Sequence, residues 1–194
     1  MSIDRIQGTD GIRRPVAPSD DPRVAGLTPQ EAFLERGLIT DEFLELYTYA
    51  FVSSLDDPGE IVIGWDPRDP EGRFTGAALR GIRKAGVTAV SLGICPTPGV
   101  ALYLVWRGAT AAFMVTASHN FRDQNGVKIF VGKHALKLFP EDDRALTRRV
   151  LSIDYAADLR DRPETGEWID AGDEARRVFV EFHTAPVNTL SLIH

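Results

Sequence analysis

Cysteine is almost missing from this chain. Cys95 is the single one among 194 residues, which excludes an intrachain disulfide and fits a reducing compartment such as the cytoplasm. Long apolar runs are missing too. No stretch approaches the roughly 20 residues that cross a bilayer, and Met1 to Arg14 carries charges and glycine where a signal peptide has its apolar core. Positive charge is in deficit: 22 Lys and Arg stand against 28 Asp and Glu, a net charge of −6. Nothing therefore favours a nucleic acid or an anionic membrane as partner, although overall acidity is compatible with a local anion site. Repeats and low-complexity tracts are also absent. What remains, 43% hydrophobic and 26% charged, is the balance of a soluble globular protein long enough for one α/β domain with a sizeable core.

The periodicities alternate between strand and helix. Ile3 to Ile6 reads as a short strand leading into Gly8-Thr9-Asp10-Gly11, a tight loop whose N–H groups suit an anion, with Arg13 beside it as a fixed charge; a plain turn at a strand end fits the same residues. Arg14 to Gln30 has no period and reads as a long surface loop. Thr40 is an N-cap for an amphipathic helix over roughly Asp41 to Leu55. Glu60 to Trp65 is a compact β-rich run followed by Asp66-Pro67-Arg68, and a polar loop after a buried strand makes Arg68 a site candidate. Phe74 to Gly86 predicts a helix, Val87 to Leu92 a strand, and Thr97-Pro98 starts a helix that Gly108 stops. Ala111 to Thr116 is a third strong strand. Val127 to Val131 follows so soon that it is expected to run antiparallel. Pro140 opens another helix, 154 to 173 gives no clear assignment, and Glu174 to His183 reads as helical. The order predicts a three-layer α/β/α domain with a mixed, mostly parallel sheet.

The densest chemistry lies between Met114 and Phe130. The apolar run delivers Ser118, His119 and Asn120 into a polar loop that passes through Asn125-Gly126 and returns on a strand carrying Lys128. A serine hydroxyl needs a base or a metal to act as a nucleophile. Adjacent side chains on an extended backbone point apart, which argues against a hydrolase built on Ser118 and His119, and no G-x-S-x-G elbow surrounds them. A serine that carries a phosphoryl group among donors suits the residues better: Lys128 as a charge, Asn120 and Asn125 as neutral donors, Gly126 for close backbone approach. An Asx-rich structural turn remains the plain alternative.

T-A-S-H-N followed by N-G-V-K, with G-T-D-G-I-R near the start, resembles the α-D-phosphohexomutase superfamily, which includes phosphoglucomutase/phosphomannomutase and phosphoglucosamine mutase. I-G-W-D-P-R, C-P-T-P and G-A-T-A-A-F-M-V agree in order. The resemblance implies an intramolecular phosphotransferase that moves a phosphoryl group between carbon 1 and carbon 6 of a hexose phosphate. It implies Ser118 as the phosphoserine, Arg13 and Lys128 as its catalytic neighbours, and His119 as a further catalytic-loop residue. Thr9, Asp10, Asn120, Asn125 and Gly126 fall in the substrate and phosphate loops. Mg2+ is implied as cofactor, held by the phosphate on Ser118 and by three aspartates, with hexose 1,6-bisphosphate as intermediate and activator.

The chain departs from the family at Arg14, where glycine is usual, and at Phe121, where proline is usual. It also holds no D-x-D-x-D metal cluster, no G-E-x-S-type sugar loop and no R-x-S-G-T phosphate clamp. It therefore reads as the N-terminal domain of a four-domain mutase over residues 1–185, with 186–194 a tail leading toward an absent second domain. Alone it is expected to be incomplete and inactive, in need of contacts with the missing domains. The alternative is a non-catalytic module that binds a phosphosugar or a partner.

Overall fold

The computed structural model describes residues 4–8 and 11–185. The tail at 186–194 and the loop residues Thr9 and Asp10 lie outside them. Six strands form one sheet: β1 (Ile12–Pro15), β2 (Glu60–Trp65), β3 (Thr88–Ile94), β4 (Ala111–Val115), β5 (Gln124–Val131) and β6 (Trp168–Asp170). Their order is β1-β5-β4-β2-β3-β6. β4, β2, β3 and β6 pair in parallel, while β5 runs antiparallel to both of its neighbours. The sheet is mixed and mostly parallel.

Both faces are covered, which is why β4 and, after Glu60, β2 are apolar and not alternating. One face (Ile61, Ile63, Phe113, Val115, Val127, Ile129) packs against helices α2 (Asp41–Val52), α3 (Arg73–Lys84) and α5 (Pro140–Ser152). The other face (Val62, Val90, Leu92, Ala112, Met114) packs against α4 (Thr97–Arg107) and α6 (Gly172–Thr184). Glycine lets the helices come close. A Cβ on Gly81 of α3 would lie 2.1 Å from Thr48 Oγ1 and 2.3 Å from the Glu45 carbonyl of α2. Nearby, the buried Glu45 carboxylate accepts from Lys84 Nζ at 2.6 Å and from Arg80 Nε at 2.8 Å. Lys84 also donates to the carbonyls of Leu159 and Arg160, so the pair ties a π-helical turn (Tyr155–Leu159) to the domain.

Several expectations are corrected. Asp4 to Ile6 form no strand: Ile6 is buried in the core and its N–H donates to Thr147 Oγ1 of α5 at 3.2 Å, so its backbone is satisfied away from the sheet. The first strand begins at Ile12 instead. The stretch after Arg14 is not all loop, because α1 (Pro29–Glu35) begins there, and Thr28 and Glu31 close a reciprocal capping box. Thr40 does cap α2, its Oγ1 accepting from Phe43 N–H at 3.0 Å, but the helix ends at Val52. Asn125 and Gly126 belong to β5, not to the loop before it. The unassigned stretch supplies β6, a short edge strand beside β3. Among the described residues no helix is long and apolar enough to cross a membrane.

Candidate active site

β4 is buried at every position, and beyond it the chain turns through Ser118 in an unusual conformation. Ser118 has φ +61°, the left-handed region that costs a non-glycine residue roughly 1–2 kcal/mol. Such strain persists only where the surroundings over-determine it. Here the Ser118 N–H donates to Thr116 Oγ1 at 2.8 Å, and its carbonyl accepts from Arg68 Nη2 at 2.7 Å. Lys128 arrives on β5, in register with Met114. Its Nζ lies 3.4 Å from Ser118 Oγ, and the residue is 8% exposed. An ammonium with little water around it, beside a hydroxyl, is suited to an anionic group attached to that oxygen.

Two glycines set the neighbouring strand. β1 pairs Arg13 with Gly126. A Cβ on Gly126 would fall 1.9 Å from the Ile12 carbonyl oxygen, and one on Gly11, at φ +89°, 2.0 Å from that of Val127. Only glycine permits this approach. Because alternate strand residues share a face, Arg13, Gly126 and Lys128 lie on one side of the sheet. Gly8, Gly11, Lys128, Arg5 and Lys137 line a cavity of about 30 Å3 on the flank of this strand pair.

The structure thus joins Ser118 and Lys128 directly and holds Arg13 on β1, opposite Gly126 of β5. Asn120 closes the loop, its Nδ2 donating to Gln124 Oε1 at 2.7 Å. His119 is exposed on the loop. Asn125 is buried, and its Oδ1 accepts from the Gly126 N–H at 2.8 Å, so that oxygen is spent on backbone. Arg14 turns away, its guanidinium 5.5 Å from the Phe33 ring of α1, and Phe121 is 81% exposed at the loop tip. Thr116 and Asp66 went unread in the sequence: the Thr116 hydroxyl donates to Asp66, which also binds Arg68. Both lie inside the motifs T-A-S-H-N and I-G-W-D-P-R, but no role was read for either. Cys95 is buried near Gly99 of α4, and burial pushes its thiol up, away from nucleophilic use.

Residues 4–157 match the family described as phosphoglucomutase/phosphomannomutase, alpha/beta/alpha domain I. The chain belongs to this family. A phosphoglucosamine mutase of Francisella philomiragia is 37% identical over 127 residues, 63% of this chain and 24% of its own length. One of Prochlorococcus marinus is 37% identical over 103 residues, 53% of this chain and 22% of its own. The chain therefore spans about a quarter of the length of these curated relatives. In fold it resembles a putative phosphomannomutase of Thermus thermophilus (TM-score 0.60, 23% identity, 88% of this chain and 34% of that one). A phosphoglucomutase/phosphomannomutase family protein of Burkholderia thailandensis gives a TM-score of 0.57 at 21% identity over 93% of this chain and 35% of that one.

A family of this kind raises the question of Mg2+. Among the described residues no group of three His, Cys, Asp or Glu side chains is placed to hold a metal ion. Around Ser118 the donor set is a hydroxyl, an ammonium and a guanidinium, and Asp66 is engaged by Arg68 and Thr116. Mg2+ takes oxygen ligands, carboxylates above all. The described residues do not fit it.

Proposed function

We propose that this domain carries the phosphoserine of a mutase that moves a phosphoryl group between carbon 1 and carbon 6 of a hexose phosphate. The observation that supports it is Ser118 Oγ held in a left-handed turn with the buried Lys128 ammonium 3.4 Å away. In the forward step a sugar hydroxyl attacks the phosphorus of phosphorylated Ser118. The bond from phosphorus to Ser118 Oγ breaks as the sugar–phosphate bond forms, giving a hexose 1,6-bisphosphate. The proton lost by the attacking hydroxyl ends, in net terms, on Ser118 Oγ, and Lys128 is within reach to deliver it or to neutralise the oxygen. The bisphosphate then turns over and returns its other phosphoryl group to Ser118. Phosphoryl transfer asks mainly for positioning and neutralised charge, which a rigid loop and a desolvated ammonium supply. Any Mg2+ that the reaction uses would need carboxylates from beyond the described residues.

Phosphopeptide mapping tests the reading. Protein purified from cells, or incubated with glucose 1,6-bisphosphate, is expected to carry one phosphate on the peptide containing Ser118. Phosphatase should remove it, and Ser118→Ala should lack it. Ser118 unmodified under both conditions in a folded protein that joins this domain to the remaining domains of a mutase would overturn the proposal.

A further inference from the structure

We propose that Arg68 is the positioning residue of the Ser118 loop, a template on which the loop backbone is laid; its meaning for phosphoryl transfer rests on the reading of Ser118 given above. The side chain is only 12% exposed, and it spends its donors on backbone. Nη2 donates to the Ser118 carbonyl at 2.7 Å, and Nη1 to the carbonyls of Gln124 at 2.9 Å and Phe121 at 3.3 Å. Those three carbonyls mark the start, the tip and the end of the loop. Its Nε lies 2.9 Å from both oxygens of Asp66, which fixes the plane of the guanidinium. Asp66 also accepts from the Thr116 hydroxyl, whose oxygen accepts the Ser118 N–H. A closed circuit results: the Ser118 peptide is gripped at its carbonyl by Arg68 and at its N–H by Thr116, and both grips meet at Asp66.

This arrangement answers why a serine stays at a positive φ. Neither the hydroxyl of Ser118 nor Lys128 takes part in the circuit, so the reactive oxygen is aimed without being consumed. A lysine cannot replace Arg68, because an ammonium lacks the planar fork that reaches separated carbonyls while holding a carboxylate edge-on.

The test compares the whole chain as wild type, Arg68→Ala and Arg68→Lys by NMR-detected amide hydrogen exchange, with thermal unfolding alongside. The amides of Ser118, Asn120 and Gln124 are expected to exchange on the order of tenfold faster in both variants, while Val115 and Ile129 in the flanking strands keep their protection. Failure of lysine to restore the loop is part of the expectation. If Arg68→Ala does not fold, Arg68→Lys, which keeps the charge and much of the stem, carries the test. Exchange that rises equally in loop and strands, or loop exchange that Arg68→Lys restores to the wild-type rate, would overturn the proposal. Phosphate on Ser118 is scored separately by mass. Its absence from Ser118 when the domain is joined to the remaining domains of a mutase, together with a loop-confined exchange pattern, would refute Ser118 as phosphoryl carrier and leave the Arg68 template standing.

Discussion

At Ser118 a side chain occupies backbone space that glycine fills without strain. Replacing Ser118 by glycine is therefore expected to stabilise the domain by about 1 kcal/mol, read as a higher urea midpoint at unchanged slope, while abolishing phosphorylation. An unchanged or lower midpoint would mean that the turn holds no strain. The pairing of Ser118 with Lys128 was legible in the sequence, because a short loop between two apolar runs returns the second beside the first. The circuit of Asp66, Thr116 and Arg68 was not. It joins the ends of β2 and β4, and which residues meet there is set by strand register, a relation across roughly fifty positions that no local pattern carries.

Between elements, close approach decides the outcome. Gly126→Ala would push a methyl into the Ile12 carbonyl and is expected to cost about 3 kcal/mol, with the loss visible in chemical denaturation. The pairing of β1 with β5 should loosen first. A gentler element-level effect comes from the start of β2. Arg107 of α4 grips Glu60 with two hydrogen bonds of 2.8 and 2.9 Å and holds its carboxyl below its ordinary value of 4.5. Its contribution is complete above pH 4.5 and is lost as pH falls through the lowered value. Glu60→Gln is expected to reduce the fall in melting temperature between pH 6 and pH 3, and identical slopes for the two proteins would refute the linkage. Helices and strands with strong period were readable from the sequence: α4 and β4 stand where expected, and α2 starts where expected though it ends three residues early. The misses have physical reasons. α1 is only a short helix, announced by its capping box more than by an apolar stripe. β6 is a three-residue edge strand whose identity depends on β3 being there to pair with it.

For the molecule as a whole, the described residues contain no cluster able to hold a metal. A chain spanning about a quarter of its curated relatives is expected to show little or no turnover of a hexose 1-phosphate by itself. A coupled assay with Mg2+ and glucose 1,6-bisphosphate checks this, and robust turnover would refute it. The topology also bears on how the chain reaches its fold. β4 and β5 form the sheet's one tightly connected hairpin, whereas β2, β3 and β4 meet only after helical crossovers. Pairings close in sequence lose least chain entropy on closing and can form soonest. The Ser118 turn is then expected to be the hinge of an early hairpin, and its awkward backbone to raise the barrier as well as the energy of the fold. Ser118→Gly should refold faster than the wild type in stopped-flow experiments, whereas equal rates would mean that the turn closes only after the barrier. On the expected outcome a single side chain sets the tempo at which the domain is born.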